Sequence, residues 1–282
     1  MIKVGLIGLG RFALNYINTI NNLDDVYITY ICSKSLKGLD CLGKAKLKKG
    51  QTKPIFTTDY KEVCKSDIDA VIIVTPPNTH FDICCSAIAN NKHVICEKPF
   101  VFSSVEALKI KKMINSKDLT FFINYIHLWN SNYTKYKQIY TKGQPFGVIN
   151  TVGMGNGPIR EYSSLWDYGS HDIAMCLDFL DETPIAVKSF FYNGLNNENQ
   201  YFIQLKFLNG ETWSLVSNAS FQKVRNFSCK ELGFFVDNTS KEQPLTLMIK
   251  DFCNSINLKL NKKNINLGVN VTKVLEECEK QS

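Results

Sequence analysis

The sequence predicts an α/β fold in two parts. Residues 1–124 read as a doubly wound parallel sheet, and residues 125–282 as an α+β domain with a large, mostly antiparallel open sheet. Three observations predict it. The chain opens on a short apolar strand, a glycine-rich turn and an amphipathic helix in direct succession. Apolar runs then alternate with helical patterns up to about residue 125, the spacing of parallel strands joined by helical crossovers. In the second half the hydrophobic period falls to two, as in half-buried antiparallel strands.

The elements follow in order. Lys3–Ile7 is a strand, and Arg11–Asn21 a helix with Phe12, Ala13, Tyr16, Ile17 and Ile20 on one face. Val26–Cys32 is a strand rich in Ile, Tyr and Val. Asp69–Val74 (DAVIIV) is a strand buried on both faces, and Phe81–Ala89 a helix. His93–Cys96 and Thr120–Asn124 are strands, with the helix Val105–Ile114 between them. In the second half, Tyr201, Ile203, Leu205 and Phe207 alternate with Gln204 and Lys206. Asn209-Gly210 signals a hairpin turn, and Thr212–Ala219 returns with Trp213 and Leu215 on one face. Two helical segments close the chain, around Leu245–Ile256 and Val269–Glu279.

The glycine turn carries chemistry. Lys3–Ala13 reads KVGLIGLGRFA, so Gly8-x-Gly10-x-x-Ala13 sits between the first strand and the first helix. Gly8 permits the tight turn, Gly10 lets a pyrophosphate approach the backbone, and the small Ala13 allows close helix–strand packing. The helix start supplies free N–H groups and a positive dipole end. This marks a Rossmann dinucleotide site that also involves Arg11 and Phe12. The residue that reads the cofactor ribose should end the second strand. There the chain has Ser33 and Lys34 in place of a carboxylate, 25 residues after Gly8. A hydroxyl and a cation favour a 2′-phosphate, so the expected cofactor is NADP in preference to NAD.

Composition excludes other classes. Hydrophobic residues make up 44% and charged residues 21% of the 282, an ordinary globular balance. The net charge of +7 is spread along the chain, and no nucleic-acid motif accompanies it. The ten cysteines form no Cys-x-x-Cys pair, the pattern of reduced thiols in a cytoplasmic protein with no metal site. No apolar run approaches the roughly 20 residues of a membrane span, and the N-terminus does not read as a signal peptide.

A further stretch, Leu165–Met175 (LWDYGSHDIAM), places Asp167 and His171 four residues apart, on one face if helical, with Asp172 beside them as a helix cap. With the glycine turn, TPPNTH at Thr75–His80 and CEKPF at Cys96–Phe100, its order and spacing resemble the glucose–fructose oxidoreductase / inositol dehydrogenase / MocA family across essentially the whole chain. The resemblance implies an NAD(P)-dependent oxidoreductase acting on the CH–OH group of a sugar, polyol or nucleotide sugar. It implies a catalytic group of Lys98, Asp167 and His171, and a cofactor lined by Thr75, Pro76, Asn78, His80, Glu97 and Lys98. Histidine and a desolvated lysine both suit transfer of the hydroxyl proton near neutral pH.

The sequence departs from the family pattern in lacking the ribose acid, in a compressed Gly153–Trp166 loop, and in reading NYIHLWN where some members carry an arginine after the sixth strand. Tyr125, His127, Asn156, Arg160 and Trp166 are therefore the candidate substrate contacts. Three other readings remain open: a biliverdin-reductase-like reductase of a non-sugar substrate, a non-catalytic regulator that senses the cofactor, and a redox-silent hydrolase that uses bound NAD. A homodimer or homotetramer is expected, because the open sheet reads as apolar on both faces, with Phe202 and Val216 opposite Tyr201 and Trp213.

Overall fold

The computed structural model describes residues 1–34, 53–155, 160–194, 198–219, 222–237 and 239–282. The chain divides into two compact units, Met1–Asn124 with Leu245–Asn266, and Tyr125–Pro244 with Leu267–Ser282. The first unit thus takes in Leu245–Asn266 as well as the N-terminal 124 residues. Phe252 packs edge-on against Phe122 at 5.5 Å, and the Ser255 and Thr120 hydroxyls lie 2.9 Å apart. The Asn264 amide fills both the N–H and the C=O of Ile123, at 2.8 and 2.9 Å, so this segment finishes an otherwise bare strand edge.

The first unit is built on β1 (Ile2–Ile7), β2 (Val26–Cys32), β3 (Ile55–Thr57), β4 (Ala70–Ile73), β5 (His93–Cys96) and β6 (Phe121–Ile123). They form one sheet in the order β3-β2-β1-β4-β5-β6, with every pair parallel. The chain moves outward from β1 to β3 and then crosses back to β4. The switch point lies between β1 and β4, where ligands bind beyond the strand ends in open α/β sheets. The crossovers are α1 (Ala13–Asn21), α2 (Tyr60–Lys65), α3 (His80–Ala89) and α4 (Ser104–Asn115). The sequence reading passes over α2, although Asp59 caps it by accepting from the Lys61 N–H at 2.8 Å. At six residues it is too short to show a period.

The second unit holds α5 (Ser131–Ile139) and α6 (Ser170–Leu180), with β7 (Gly147–Met154), β8 (Ala186–Asn193), β9 (Asn199–Phe207), β10 (Gly210–Ser217), β11 (Val224–Cys229) and β12 (Phe234–Val236). The sheet order is β12-β11-β7-β10-β9-β8, antiparallel throughout except where β10 runs parallel to β7. α7 (Pro244–Asn257) and α8 (Ile265–Glu279) follow.

The register corrects the expected faces of this sheet. Tyr201 pairs with Val216, and both are buried; Phe202 pairs with Leu215, on the same side as the exposed Trp213. Paired residues share a face, so Tyr201 and Trp213 lie on opposite sides. The inner face carries Ile149, Ile203, Leu205, Val216 and Phe227 against α6, which is buried along nearly its whole length. The outer face carries an unbroken apolar row across four strands: Phe190, Phe202, Leu215 and Val152.

Candidate functional site

In the first unit, the end of β1 turns at Gly8 with φ +106°, in the region that favours glycine. A Cβ there would stand 2.7 Å from the Val74 carbonyl carbon, so the β1 and β4 ends close together only over glycine. A Cβ on Gly10 would meet open space. α1 begins after Phe12 with no side-chain cap and no acid in its first turn. Its Ala13 and Asn15 N–H groups donate to the Gly10 and Phe12 carbonyls at 3.0 Å, and the positive dipole end faces no acid of its own first turn. Ala13 is fully buried, whereas Arg11 and Phe12 are exposed beside the turn. The Gly8 N–H donates to the Cys32 carbonyl at 2.9 Å, which brings the exposed Lys34 and half-buried Ser33 to the strand end next to the turn. These residues fit a dinucleotide phosphate and its ribose.

Thr75 is half-buried, while Pro76 and Asn78 are exposed. The Thr79 hydroxyl donates within 2.7 Å of both Thr75 Oγ1 and the Pro76 carbonyl, which stiffens the turn. His80 departs from its expected role. Its ring is completely buried, with Nε2 2.9 Å from the Thr75 carbonyl and Nδ1 2.8 and 3.1 Å from the Phe100 and Pro99 carbonyls. No atom is left to touch a cofactor. Burial pulls its pKa below the ordinary histidine value, against the pull of those carbonyls.

Glu97 is also withdrawn, at 9% exposure. Its Oε1 accepts from the Tyr16 hydroxyl at 2.7 Å and from the Asn124 amide at 2.6 Å, and the same amide reaches the Tyr16 oxygen at 2.9 Å. Burial pushes the Glu97 pKa up, partly opposed by these donors. The network ties α1, β5 and β6 together beneath the half-buried Lys98, whose backbone N–H donates to Glu97 Oε2 at 3.3 Å. Tyr16 and Asn124 went unnoticed in the sequence, where Tyr16 reads only as one apolar position of α1.

In the second unit, Asp167 and His171 do not share one regular helix. Leu165–Gly169 is a π-helical turn that runs into α6, so Asp167 precedes the junction and His171 follows it. Such turns recur at functional sites. His171 is 7% exposed, and its ring stands edge-to-face with that of His127 at 4.8 Å. His127 comes from a short 3₁₀ turn, Ile126–Trp129, so two imidazoles 44 residues apart in sequence meet. The Asp167 side chain is 17% exposed, and the Arg160 Nε lies 3.9 Å from its Oδ2, a loose pair.

Three of the remaining expectations change. Trp166 is 2% exposed and donates its indole N–H to Glu279 at 2.9 Å, so it belongs to the core and offers no face to a sugar. Tyr125 is equally buried, at 1%. Asp172 is not a helix cap: it is completely buried and bonded to Arg225 Nη1. Arg225, on β11, also reaches the Tyr168 carbonyl at 3.4 Å and lies over the Tyr168 ring at 6.0 Å. A side chain on Gly153 would collide with the pair. Nothing in the sequence links Arg225 to this segment 53 residues upstream. Asn156 lies outside the described residues. Among the described residues no cluster of three or more His, Cys, Asp or Glu side chains could hold a metal ion.

Comparisons with known proteins agree with this geometry. Residues 2–125 match the model of an oxidoreductase family with an NAD-binding Rossmann fold. The myo-inositol 2-dehydrogenase of Thermotoga maritima is 25% identical over 142 residues, which cover 50% of this chain and 41% of that relative. The matched stretch thus spans about two-fifths of that relative's length. Two solved structures share the fold over nearly the whole of both chains. An oxidoreductase from Magnetospirillum magnetotacticum superposes with a TM-score of 0.85 at 23% identity, covering 98% of this chain and 99% of its own. A UDP-N-acetylglucosamine 3-dehydrogenase from Acidithiobacillus ferrooxidans gives 0.83 at 16% identity, covering 99% and 97%. The glycine turn at the β1–β4 switch point lies within the matched stretch, so residues 2–125 are similar to the NAD-binding Rossmann part of this glucose–fructose oxidoreductase / inositol dehydrogenase / MocA family of oxidoreductases.

Proposed function

We propose that this protein is an NAD(P)-dependent oxidoreductase acting on a secondary alcohol or ketone of a sugar, polyol or nucleotide sugar, with NADP the preferred cofactor, working as a homodimer or homotetramer in the cytoplasm. The observation that carries this reading is the cradle at Gly8–Ala13: an open, uncapped and acid-free helix start behind a positive-φ glycine. The relatives that act on myo-inositol and on a UDP-sugar support the substrate class.

When bound, the nicotinamide supplies the position that gains or loses hydride. The chain's own residues do the rest. Gly8, Gly10, Arg11, Phe12 and Ala13 hold the diphosphate, while Ser33 and Lys34 face the ribose. Thr75, Pro76 and Asn78 lie along the cofactor. Lys98 and His171 handle the proton of the reacting hydroxyl. Asp167 orients an imidazole or binds substrate hydroxyls, and His127, beside His171, is the substrate contact best placed to assist. Arg160 offers a cation to an anionic substrate group, in competition with Asp167.

The test is purified protein with NADP⁺ or NAD⁺ and a panel of inositols, free sugars and UDP-sugars, read at the nicotinamide absorbance band. Turnover with one polyol or sugar class is the expected result. Cofactor binding without turnover on any member would overturn the proposed substrate class.

A further inference from the structure

Arg225 is an unusual residue for the inner face of the second sheet. It shares that face of β11 with Phe227, is 5% exposed, and reaches across to α6. Its Nη1 meets two acceptors, the Asp172 carboxylate on α6 and the Tyr168 carbonyl at 3.4 Å. A guanidinium Nη carries two N–H groups, so both bonds form together with the arginine charged and the aspartate ionised. Tyr168 follows Asp167 in the chain, and Asp172 follows His171. One nitrogen therefore holds the residue next to each of them. The Tyr168 carbonyl belongs to the π-helical turn Leu165–Gly169, whose backbone ladder is out of step with that of α6. Gly153 on β7 is the register partner of Arg225. A Cβ there would collide with the Asp172 carboxylate and stand 2.5 Å from Arg225 Nη1, so the link exists only over glycine. Stability alone does not account for the arrangement, because an apolar pair of similar volume is often as stable as a buried ion pair.

We propose that Arg225 is a positioning residue: it locks the π-helical turn to the start of α6, and so holds His171 against His127 and fixes where Asp167 stands. This rests on the reading above in giving Asp167 and His171 their roles. Arg225 itself handles no proton and touches no substrate.

The readout needs neither substrate nor cofactor. The chain has four histidines, so histidine-labelled protein gives a simple spectrum. The His127 and His171 rings, with centroids 4.8 Å apart, are close enough for a nuclear Overhauser cross-peak between them. His80 and His93 lie in the first unit and report whether the fold is intact. Two variants separate positioning from stability. Asp172→Leu combined with Arg225→Met removes both charges and strands neither; Gly153→Ala keeps both charges and crowds the link. In each, the His127–His171 cross-peak should vanish while the His80 and His93 signals stay in place. A cross-peak retained in either variant shows that the link only adds stability, and overturns the proposal. Loss of the cross-peak together with shifts at His80 and His93 also overturns it, as does failure of both variants to fold, since the link would then serve the fold as a whole. If one variant folds, that variant decides. On any substrate that the panel identifies, a folded variant should turn over about 100-fold more slowly with NADPH affinity within about twofold, the scale of a misplacement of about 1 Å. Wild-type turnover there would overturn the positioning role. If the panel identifies no substrate, the cross-peak still decides, so the two ideas fail separately.

Discussion

In the proposed function, Ser33 and Lys34 set the cofactor preference. They stand beside the glycine turn, where a carboxylate would accept from both ribose hydroxyls and repel a 2′-phosphate. NADPH should bind more tightly than NADH by about 1–3 kcal/mol, the scale of a charge-assisted hydrogen bond. Added salt should shrink the difference, because Lys34 is exposed. Ser33→Asp should invert the preference. Dissociation constants for both cofactors at two salt concentrations check this; a wild type that prefers NADH would count against it. At the proposed proton-handling residues, Lys98→Met and His171→Ala should each lower turnover by at least about 100-fold while NADPH affinity stays within about threefold, since general acid–base groups contribute 10²–10⁴. Steady-state kinetics with parallel cofactor titrations separate the two effects.

Between elements, two buried polar links set the local geometry. Asp172 on α6 and Arg225 on β11 form an ion pair that water scarcely reaches. Removing one partner strands the other, so Asp172→Asn should lower stability by about 3–5 kcal/mol in urea unfolding. Replacing both by well-packed apolar residues should cost much less. The second link is the Tyr16–Glu97–Asn124 network. Burial raises the Glu97 pKa in the folded state, so between its unfolded and folded values the native chain holds the extra proton. That contribution is complete below the unfolded pKa and is lost as pH rises through the folded one. The stability of the wild type relative to Glu97→Gln should therefore be greatest in mild acid and decline toward neutral pH. Thermal unfolding of both proteins across that range, without cofactor, provides the measurement; a difference that grows with pH would refute the assignment.

For the molecule as a whole, the outer face of the second sheet carries exposed aromatic side chains. Phe190, Phe202 and Trp213 are 59%, 45% and 36% exposed, and Phe190 and Phe202 lie in one apolar row with Leu215 and Val152. A contiguous apolar patch of this kind marks an association surface. The protein should form at least a dimer at micromolar concentration by light scattering, and Phe202→Asp should shift it toward monomer. A monomeric wild type would remove the expectation.

The sequence by itself determined the strand–helix order of the first unit apart from the short β3 and α2, because a glycine turn between a strand and an amphipathic helix permits few alternatives. It also supplied the candidate cofactor contacts Gly8, Gly10, Ala13, Ser33 and Lys34, which the fold brings to neighbouring strand ends. The face of β10 was not legible: Thr212, Trp213, Ser214 and Leu215 alternate without a strong contrast in polarity, and only pairing with β9 sets which side is buried. His80 reads as a ligand contact from the resemblance of the Thr75–His80 stretch, and Asp172 as a cap from its place at a helix start. Their actual partners, the Phe100 carbonyl and Arg225, are 20 and 53 residues away. The same holds for the meeting of His127 with His171 and of Tyr16 with Glu97 and Asn124. Sequence periodicity reports which face of an element is apolar. Which polar groups satisfy one another inside is decided by tertiary packing, since a buried donor or acceptor must find a partner wherever the fold brings one.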